Sequence, residues 1–334
     1  MRILAIESSC DDTSTAVVED GRVRSNIVLS QDEVHRPYGG VVPELASRSH
    51  MRAILPLIEA ALDRSGLTLE DIDAVVATYG PGLVGSLLVG LNAGKALAFA
   101  RGLPFLGVNH LEGHLLSPQI EEELPFPYVG LLVSGGHTSL YFAEDLGVYR
   151  HLGSTRDDAA GEAFDKVAKL LGLGFPGGKA IDDLARKGDP YAISFPRARL
   201  KSRGNRAEFD FSFSGIKTAV ALWLEEHPAD SDTARADVAA SFQEAVVDML
   251  LETSFAALRA VGCNQFAIAG GVSANSRLRA RAAALAAECG VRLIIPPMRY
   301  CTDNAAMIGY AGWQRLARGE QHDLDLNAYA DLTL

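Results

Sequence analysis

Residues 2–7 (RILAIE), 13–18 (TSTAVV) and 22–29 (RVRSNIVL) are three short apolar segments separated by polar turns. Segments of this length and composition predict β-strands. The patterns that follow predict a helix at 48–63, a strand at 73–78 (DAVVAT), a helix at 84–101 and a strand at 104–108 (PFLGV). The predicted order is therefore β-β-β-α-β-α-β.

The same order starts again at Tyr128. Three strands are predicted at 128–133 (YVGLLV), 138–142 and 147–153. The later predicted elements are helices at 157–172 and 234–260, a strand at 265–269, a helix at 274–289, a strand at 291–295 and a helix at 303–318. The two halves differ in sequence, so what repeats is the topology.

The repetition predicts two α/β domains, residues 1–124 and residues 125–334. The segment 174–215 is rich in Pro, Gly and Arg and is interpreted as an insertion in the second domain. The last helix could pack back on the first domain. Paired domains of this kind usually bind a ligand in the cleft between them, at strand ends.

The composition is that of a globular protein, with 48% hydrophobic and 22% charged residues in a chain of 334. No apolar run reaches the roughly 18 residues of a membrane span. The four cysteines show no CxxC spacing, which favours reduced thiols in the cytoplasm. A net charge of −11 argues against broad, non-specific nucleic-acid binding but permits a local basic patch.

Five glycine-rich or polar turns, mostly at predicted strand ends, are candidates for phosphate binding because their exposed N–H groups can contact phosphate oxygens. None matches the dinucleotide-binding or P-loop pattern. A Gly-Gly pair after a strand is often only a tight turn, but five in one chain favour a nucleotide site. The turns are residues 7–12 (ESSCDD), 80–86 (GPGLVGS), 134–137 (SGGH), 176–179 (PGGK) and 270–275 (GGVSAN).

Residues 109–116 (NHLEGHLL) contain two histidines, His110 and His114, at helical i, i+4 spacing. On a helix they share one face and could bind one metal ion; the alternative is one capping and one packed histidine. In a zincin helix the glutamate directly follows the first histidine. Here Glu112 lies about 200° around the helix from His110, which argues against a peptidase. Asp303, before the last helix, could be a third ligand or could cap that helix.

Taken together, eight segments resemble, in order, the bacterial tRNA threonylcarbamoyladenosine transferases, formerly described as O-sialoglycoprotein endopeptidases. The resemblance covers essentially the whole chain. It rests on AIESSCDDTS (5–14), PGLVGSLLVG (81–90), NHLEGHLLS (109–117), LLVSGGHT (131–138), GEAFDKVAKLLGL with FPGG (161–178), FSFSGIKTAV (211–220), AGGVSANSRLR (269–279) and YCTDNAAMIG (300–309).

The resemblance implies the actin/Hsp70/sugar-kinase type of fold, in agreement with the duplicated pattern. It implies transfer of a threonylcarbamoyl group from threonylcarbamoyl-AMP to the exocyclic amine of the adenosine 3′ of the anticodon, in tRNAs that read codons starting with A. It also implies two protein partners, a shorter paralogous subunit of the TsaB type and a small P-loop ATPase of the TsaE type.

By matching motifs, the resemblance also implies roles for individual residues. His110, His114 and Asp303 would bind one divalent iron or zinc ion. Asp11 and Asp12 fall in the phosphate turn, although the family often has Glu where Asp12 stands. His137 and Asp12 are both candidates for a general base. The residues implied to bind the intermediate and its nucleotide part are Val133, Ser134, Gly135, Gly136, His137, Asp165, Gly178, Asp182 and Asn275.

Residues 197–206 (RARLKSRGNR) contain five basic residues and no acidic one. They are either a solvated loop or an edge that contacts tRNA phosphates. The tRNA-binding candidates are Arg197, Arg199, Lys201 and Arg203.

Parts of this sequence pattern, the glycine turns and the histidine pair, are also compatible with three other functions. An ATP-dependent small-molecule kinase of the same fold would use the glycine turns but would not need His110 and His114. A metallopeptidase would need the histidines together with a differently placed glutamate. A non-catalytic nucleotide-binding scaffold would need neither a metal nor a base.

Overall fold

Two five-stranded sheets form the framework of the protein in a computed structural model that describes residues 1–198 and 209–334. The strands of the first sheet are β1 (Arg2–Glu7), β2 (Asp12–Glu19), β3 (Arg22–Ser30), β4 (Ala74–Gly80) and β5 (Phe105–Asn109). Those of the second are β6 (Tyr128–Val133), β7 (Thr138–Asp145), β8 (Val148–Ser154), β9 (Gln265–Ala269) and β10 (Arg292–Ile294).

Ten α-helices connect or cover these strands in the described residues. No helix there is both long and apolar enough to cross a membrane. The helices are α1 (Asp32–His35), α2 (Pro43–Ser65), α3 (Val84–Arg101), α4 (His110–Leu116), α5 (Ala160–Leu170), α6 (Gly177–Ala185), α7 (Ser214–Glu226), α8 (Asp232–Val261), α9 (Ser276–Cys289) and α10 (Ala305–Ala317).

The two sheets have the same topology. The first has the order β3-β2-β1-β4-β5, and the second reads β8-β7-β6-β9-β10 in the same direction. In each, the first three strands pair antiparallel and the last two add in parallel. The predicted duplication is therefore confirmed at the level of topology.

The contacts divide the chain into two compact units. The first unit combines Met1–Glu123 with Pro296–Leu334, and the second is Leu124–Ile295. The sequence placed all of 125–334 in the second domain and left open a return of its last helix. In the structure that helix, α10, packs against β1 and β2 of the first sheet, and the whole of residues 296–334 lies with it.

Each unit has its own apolar core. In the first, buried side chains of β1, β2 and β4 pack against α2 and α3. In the second, α5, α6, α7 and α8 enclose a larger apolar cluster around β6. The central strands β1 and β6 are buried almost throughout, which explains their nearly continuous apolar sequences.

The segment interpreted as an insertion, 174–215, contains an integral helix. α6 packs between α5 and α8, and its Ile181 is fully buried in the core of the second unit. α7 begins at its end and was not predicted. The short α1 was also not predicted, because four residues carry too little periodic signal.

Residues 319–334 cover the edge of the first sheet without forming a helix or strand. The backbone N–H of His322 donates to Phe105 O over 2.8 Å, and that of Tyr329 donates to Tyr79 O over 2.8 Å. Leu326 packs against Gly107, where a Cβ would lie 2.3 Å from its side chain. The open edge of β5 is therefore shielded from pairing with another strand.

Candidate metal centre and nucleotide-binding site

The helix that carries the two histidines begins directly after β5. Asn109 ends the strand and caps α4, since its Oδ1 accepts the N–H groups of Leu111 (2.8 Å) and Glu112 (3.4 Å). Its Nδ2 donates to Thr333 O over 3.1 Å. This double attachment fixes the direction in which α4 leaves the sheet.

The predicted metal-binding side chains come together within the first unit. One donor atom from each of His110, His114 and Asp303 lies within 4.8 Å of the others. His114 Nε2 is 2.9 Å from Asp303 Oδ1, and His110 Nε2 is 3.6 Å from the same oxygen. Two imidazole nitrogens and one carboxylate oxygen are a donor set that suits iron or zinc.

Asp303 is not the cap of the last helix, which was the alternative reading. Asn304 takes that role, because its side chain accepts the N–H of Met307 over 3.1 Å. The first turn of α10 is held further by Ser14, whose Oγ accepts the N–H of Ala305 over 2.8 Å. Asp303 is thereby available to face the histidines.

The pocket around His110 favours positive charge. Burial lowers the pKa of this imidazole, but the negative charges of Asp303 and Glu7 outweigh that effect and raise it to about 9. A site that stabilises a proton on His110 in this way also provides the negative surroundings that a divalent cation requires.

Glu112 faces away from the histidines, as its helical position predicts. Its two carboxylate oxygens accept Arg315 Nε (2.6 Å) and Nη2 (2.7 Å), and its side chain is 1% exposed. It therefore ties α4 to α10 and is not placed to act as base on a water between the histidines.

The candidate carboxylates Asp11 and Asp12 lie between β1 and β2: Asp11 is in the turn, and Asp12 is the first residue of β2. Burial, followed by the charges of Asp303 and Asp11, raises the pKa of Asp12 to about 7. Burial also raises the pKa of Asp11. Neutral pH therefore lies within the titration range of Asp12.

The candidate intermediate-binding loop, 133–137, lies at the end of β6 in the second unit. Ser134 closes it, because its N–H donates to His137 O (2.8 Å) and its Oγ accepts the N–H of His137 (3.1 Å). Gly161 of α5 donates its N–H to Ser134 O over 3.1 Å. The loop is thus fixed directly over the start of α5.

The other predicted nucleotide residues form a connected set in the second unit. Asp165 accepts the N–H of Gly177 over 2.7 Å, next to Gly178 at the start of α6. Asp182, one turn further along α6, accepts the Oγ of Ser276 over 2.8 Å. Asn275 caps α9 through the N–H of Leu278 (2.9 Å) and donates to Gln243 Oε1 (2.7 Å). These residues are far apart in the sequence, so their spacing alone does not predict that they are linked by hydrogen bonds.

Gly161 is required by the closeness of α5 to the loop. A Cβ at this position would lie 2.6 Å from Ser134 O and 2.8 Å from the Cα of Gly135, so backbone would have to move. We expect Gly161→Ala to lower the free energy of unfolding by about 1–3 kcal/mol. Urea denaturation measures the change.

Gly215→Ala in α7 is the matched control, since a Cβ there meets nothing within 4 Å. It should leave the free energy of unfolding unchanged or slightly increased. Equal unfolding free energies for the two variants would contradict the close packing of α5 on the loop.

Of the basic candidates, only Arg197 lies within the described residues. Its Nε donates to Asp248 Oδ2 of α8 over 2.8 Å, so it already has an acidic partner. Arg199, Lys201 and Arg203 lie outside the described residues. Their contact with tRNA stays a prediction.

The chain matches the model of the family of tRNA N6-adenosine threonylcarbamoyltransferases over residues 22–310. The chain belongs to this family. Its relatives of that description include a protein of Anaeromyxobacter dehalogenans (strain 2CP-C), 58% identical over 330 residues, covering 98% of each chain. A second, from Kosmotoga olearia, is 51% identical and covers 100% of this chain and 99% of the relative.

Solved structures support the fold. The fold of this chain resembles that of full-length HypF in its phosphate- and nucleotide-bound form, with a TM-score of 0.63 at 13% identity, covering 94% of this chain and 55% of that one. It also resembles component A of the (R)-2-hydroxyglutaryl-CoA dehydratase of Acidaminococcus fermentans, with a TM-score of 0.55 at 16% identity, covering 95% and 99%. The predicted actin/Hsp70/sugar-kinase type of fold is confirmed.

Proposed function

We propose that the protein transfers the threonylcarbamoyl group from threonylcarbamoyl-AMP to the exocyclic amine of the adenosine 3′ of the anticodon, in tRNAs that read codons starting with A. Family membership supports this reaction. The structural observation that supports the reaction most directly is the close approach of donor atoms from His110, His114 and Asp303.

The donor set fits a divalent iron or zinc ion, held by His110, His114 and Asp303. When bound, such an ion supplies Lewis-acid stabilisation of an oxygen of the activated intermediate. Because AMP already activates the donor carbonyl, the protein needs no covalent nucleophile. Its own residues bind, orient and stabilise charge.

The residues of the second unit are proposed to hold the intermediate. Backbone N–H groups of the loop 133–137 would stabilise charge on the departing phosphate. Asp182 suits the ribose hydroxyls, since each carboxylate oxygen can accept two hydrogen bonds. Asp165, which accepts the N–H of Gly177 at the start of the same helix, Gly178 and Asn275 are proposed to complete the site.

The adenosine amine is a weak nucleophile, so we propose a general base. His137 and Asp12 are the two candidates. The pKa of Asp12, raised to about 7, suits proton transfer at neutral pH.

The test of the function is a reaction with purified components. The protein, with the partner proteins proposed below, is mixed with threonylcarbamoyl-AMP and unmodified tRNA, and modified adenosine is measured by mass spectrometry after digestion. We expect modification at the adenosine 3′ of the anticodon and none in a tRNA that reads codons starting with another base. Release of AMP without modified tRNA would contradict the proposal.

The basic segment at 197–206 is proposed to contact tRNA phosphates. Replacing Arg199, Lys201 and Arg203 with Gln should weaken tRNA binding. The negative slope of log K against log salt should become shallower by about 2–3, since each phosphate contact releases counterions. Filter binding at several salt concentrations measures the slope. Replacing Arg197 as well should add less, because it is paired with Asp248.

A control with the same change in charge uses three exposed cations of the second unit, namely Lys169, Lys187 and Arg259. These substitutions should leave the slope almost unchanged. Equal slopes for both triple variants would show that the basic segment does not contact tRNA.

Because the chain carries a net charge of −11, we propose that partner proteins supply part of the tRNA affinity. The proposed partners are the shorter TsaB-type paralogue and the TsaE-type P-loop ATPase. The tRNA substrate favours a cytoplasmic location.

A further inference from the structure

The two histidines of the metal centre are supported unequally on the side away from Asp303. His110 Nδ1 lies 3.1 Å from Glu7 Oε2 and 3.1 Å from Ser9 Oγ. The corresponding nitrogen of His114, Nδ1, is buried and has no hydrogen-bond partner among the described residues. Of the two histidines, only His110 therefore has a carboxylate at its Nδ1.

Glu7 is itself held firmly. It is the last residue of β1 and is fully buried. Its Oε1 accepts the N–H of Ser9 over 2.5 Å, and its Oε2 accepts Thr78 Oγ1 of the neighbouring strand β4 over 2.5 Å. Both carboxylate oxygens are thus fixed, and Oε2 points at the imidazole of His110.

The surroundings of Glu7 are unusual for a buried acid. Within residues 1–198 and 209–334, His110 is the one basic side chain in ion-pair contact with it. Its other polar contacts in these residues are both hydrogen-bond donors, the N–H of Ser9 and the hydroxyl of Thr78. A buried carboxylate that has no Lys or Arg partner contributes little to the free energy of unfolding, since an apolar residue of similar size would often stabilise the fold equally well.

We propose that Glu7 is a positioning residue of the metal centre. Its carboxylate accepts the Nδ1–H of His110, which fixes the tautomer and turns the lone pair of Nε2 towards the ion. This inference rests on the metal centre in the proposed function. The Ser9 N–H and the Thr78 hydroxyl both donate to Glu7, so its oxygens act as acceptors and favour the His110 tautomer with hydrogen on Nδ1. The hydroxyl of Ser9 is compatible with either tautomer.

The direct test is Glu7→Gln, which keeps the shape of the side chain and removes its charge. The full chain is stripped of metal, and the affinity for Zn²⁺ is measured by competition with a chromophoric chelator. We expect affinity to fall by about 10–100-fold, the usual effect of removing such an orienting carboxylate. The absorption spectrum of the Co²⁺-loaded protein should change as well, since the His110 ligand is reoriented.

Thr78→Val is the second variant, and it leaves the Glu7 charge in place. It removes one hydrogen bond to Oε2 and should weaken Zn²⁺ binding severalfold without preventing folding. Thr15→Val is its matched control: Thr15 is also buried in the first sheet, and its hydroxyl donates to Leu57 O over 2.6 Å, away from His110. Zn²⁺ affinity of the control should equal that of the wild type.

The outcomes separate this inference from the metal centre itself. If the wild type binds Zn²⁺ and the Glu7→Gln protein binds it equally tightly, Glu7 has no positioning role. Should Glu7→Gln fail to fold, equal affinities of Thr78→Val and Thr15→Val would overturn the inference in the same way. A wild type that binds no Zn²⁺ would overturn both the inference and the proposed metal centre.

Discussion

Replacing His110 and His114 together with Ala should lower the single-turnover rate of threonylcarbamoyl transfer by about a hundredfold or more. The reason is the loss of two of the three converging donors. Lewis-acid stabilisation is worth several kcal/mol, and about 1.4 kcal/mol corresponds to a factor of ten in rate. The rate is measured with purified threonylcarbamoyl-AMP and tRNA, and bound metal is measured by mass spectrometry.

The control for this double variant replaces His151 and His227, two exposed histidines of the second unit. It should retain the metal content and the rate of the wild type. A normal rate in the His110, His114 variant would show that the metal has no part in the reaction, whatever its effect on stability.

Arg315→Met should lower the free energy of unfolding by about 2–4 kcal/mol. The substitution keeps apolar bulk but leaves the carboxylate of Glu112, which is 1% exposed, without its two hydrogen bonds from the guanidinium. Breaking a buried pair by removing one partner costs about 3–5 kcal/mol, and the partial exposure of Arg315 reduces this. Urea denaturation measures the change.

Arg48→Met provides the comparison, because Arg48 forms an exposed i, i+4 pair with Glu44 on α2. Its loss should change stability by no more than about 0.5 kcal/mol. The double variant Glu112→Gln, Arg315→Met should recover part of the stability, since no buried charge remains. Similar losses for Arg315→Met and Arg48→Met would show that the link between α4 and α10 contributes little.

The duplicated fold could be predicted from the sequence because strands buried on both faces leave continuous apolar segments, as at 2–7 and 128–133. α6 and α7 were missed for a local reason. α6 begins with Gly177 and Gly178, and α7 begins with Ser214 and Gly215, residues with weak helix propensity. Burial of Ile181 in the core outweighs that propensity.

The candidate site also contains residues that the sequence predicted and one that it did not. His110 and His114 were found because four residues along a helix bring two side chains to one face. Glu7 was missed because 103 residues separate it from His110, and strand pairing brings them together. In the first sheet β1 pairs with β4 and β4 with β5, so the end of β1 lies close to α4, which follows β5.

The first unit is built from both ends of the chain, and this sets an order of events during synthesis. Asp303 follows His114 by 189 residues, so at about 5–20 residues per second a ribosome needs roughly 10–40 s to add it. In that interval the ribosome adds all five described strands of the second unit, β6 to β10. The set of three donor side chains, His110, His114 and Asp303, is therefore complete only after the second unit has been synthesised.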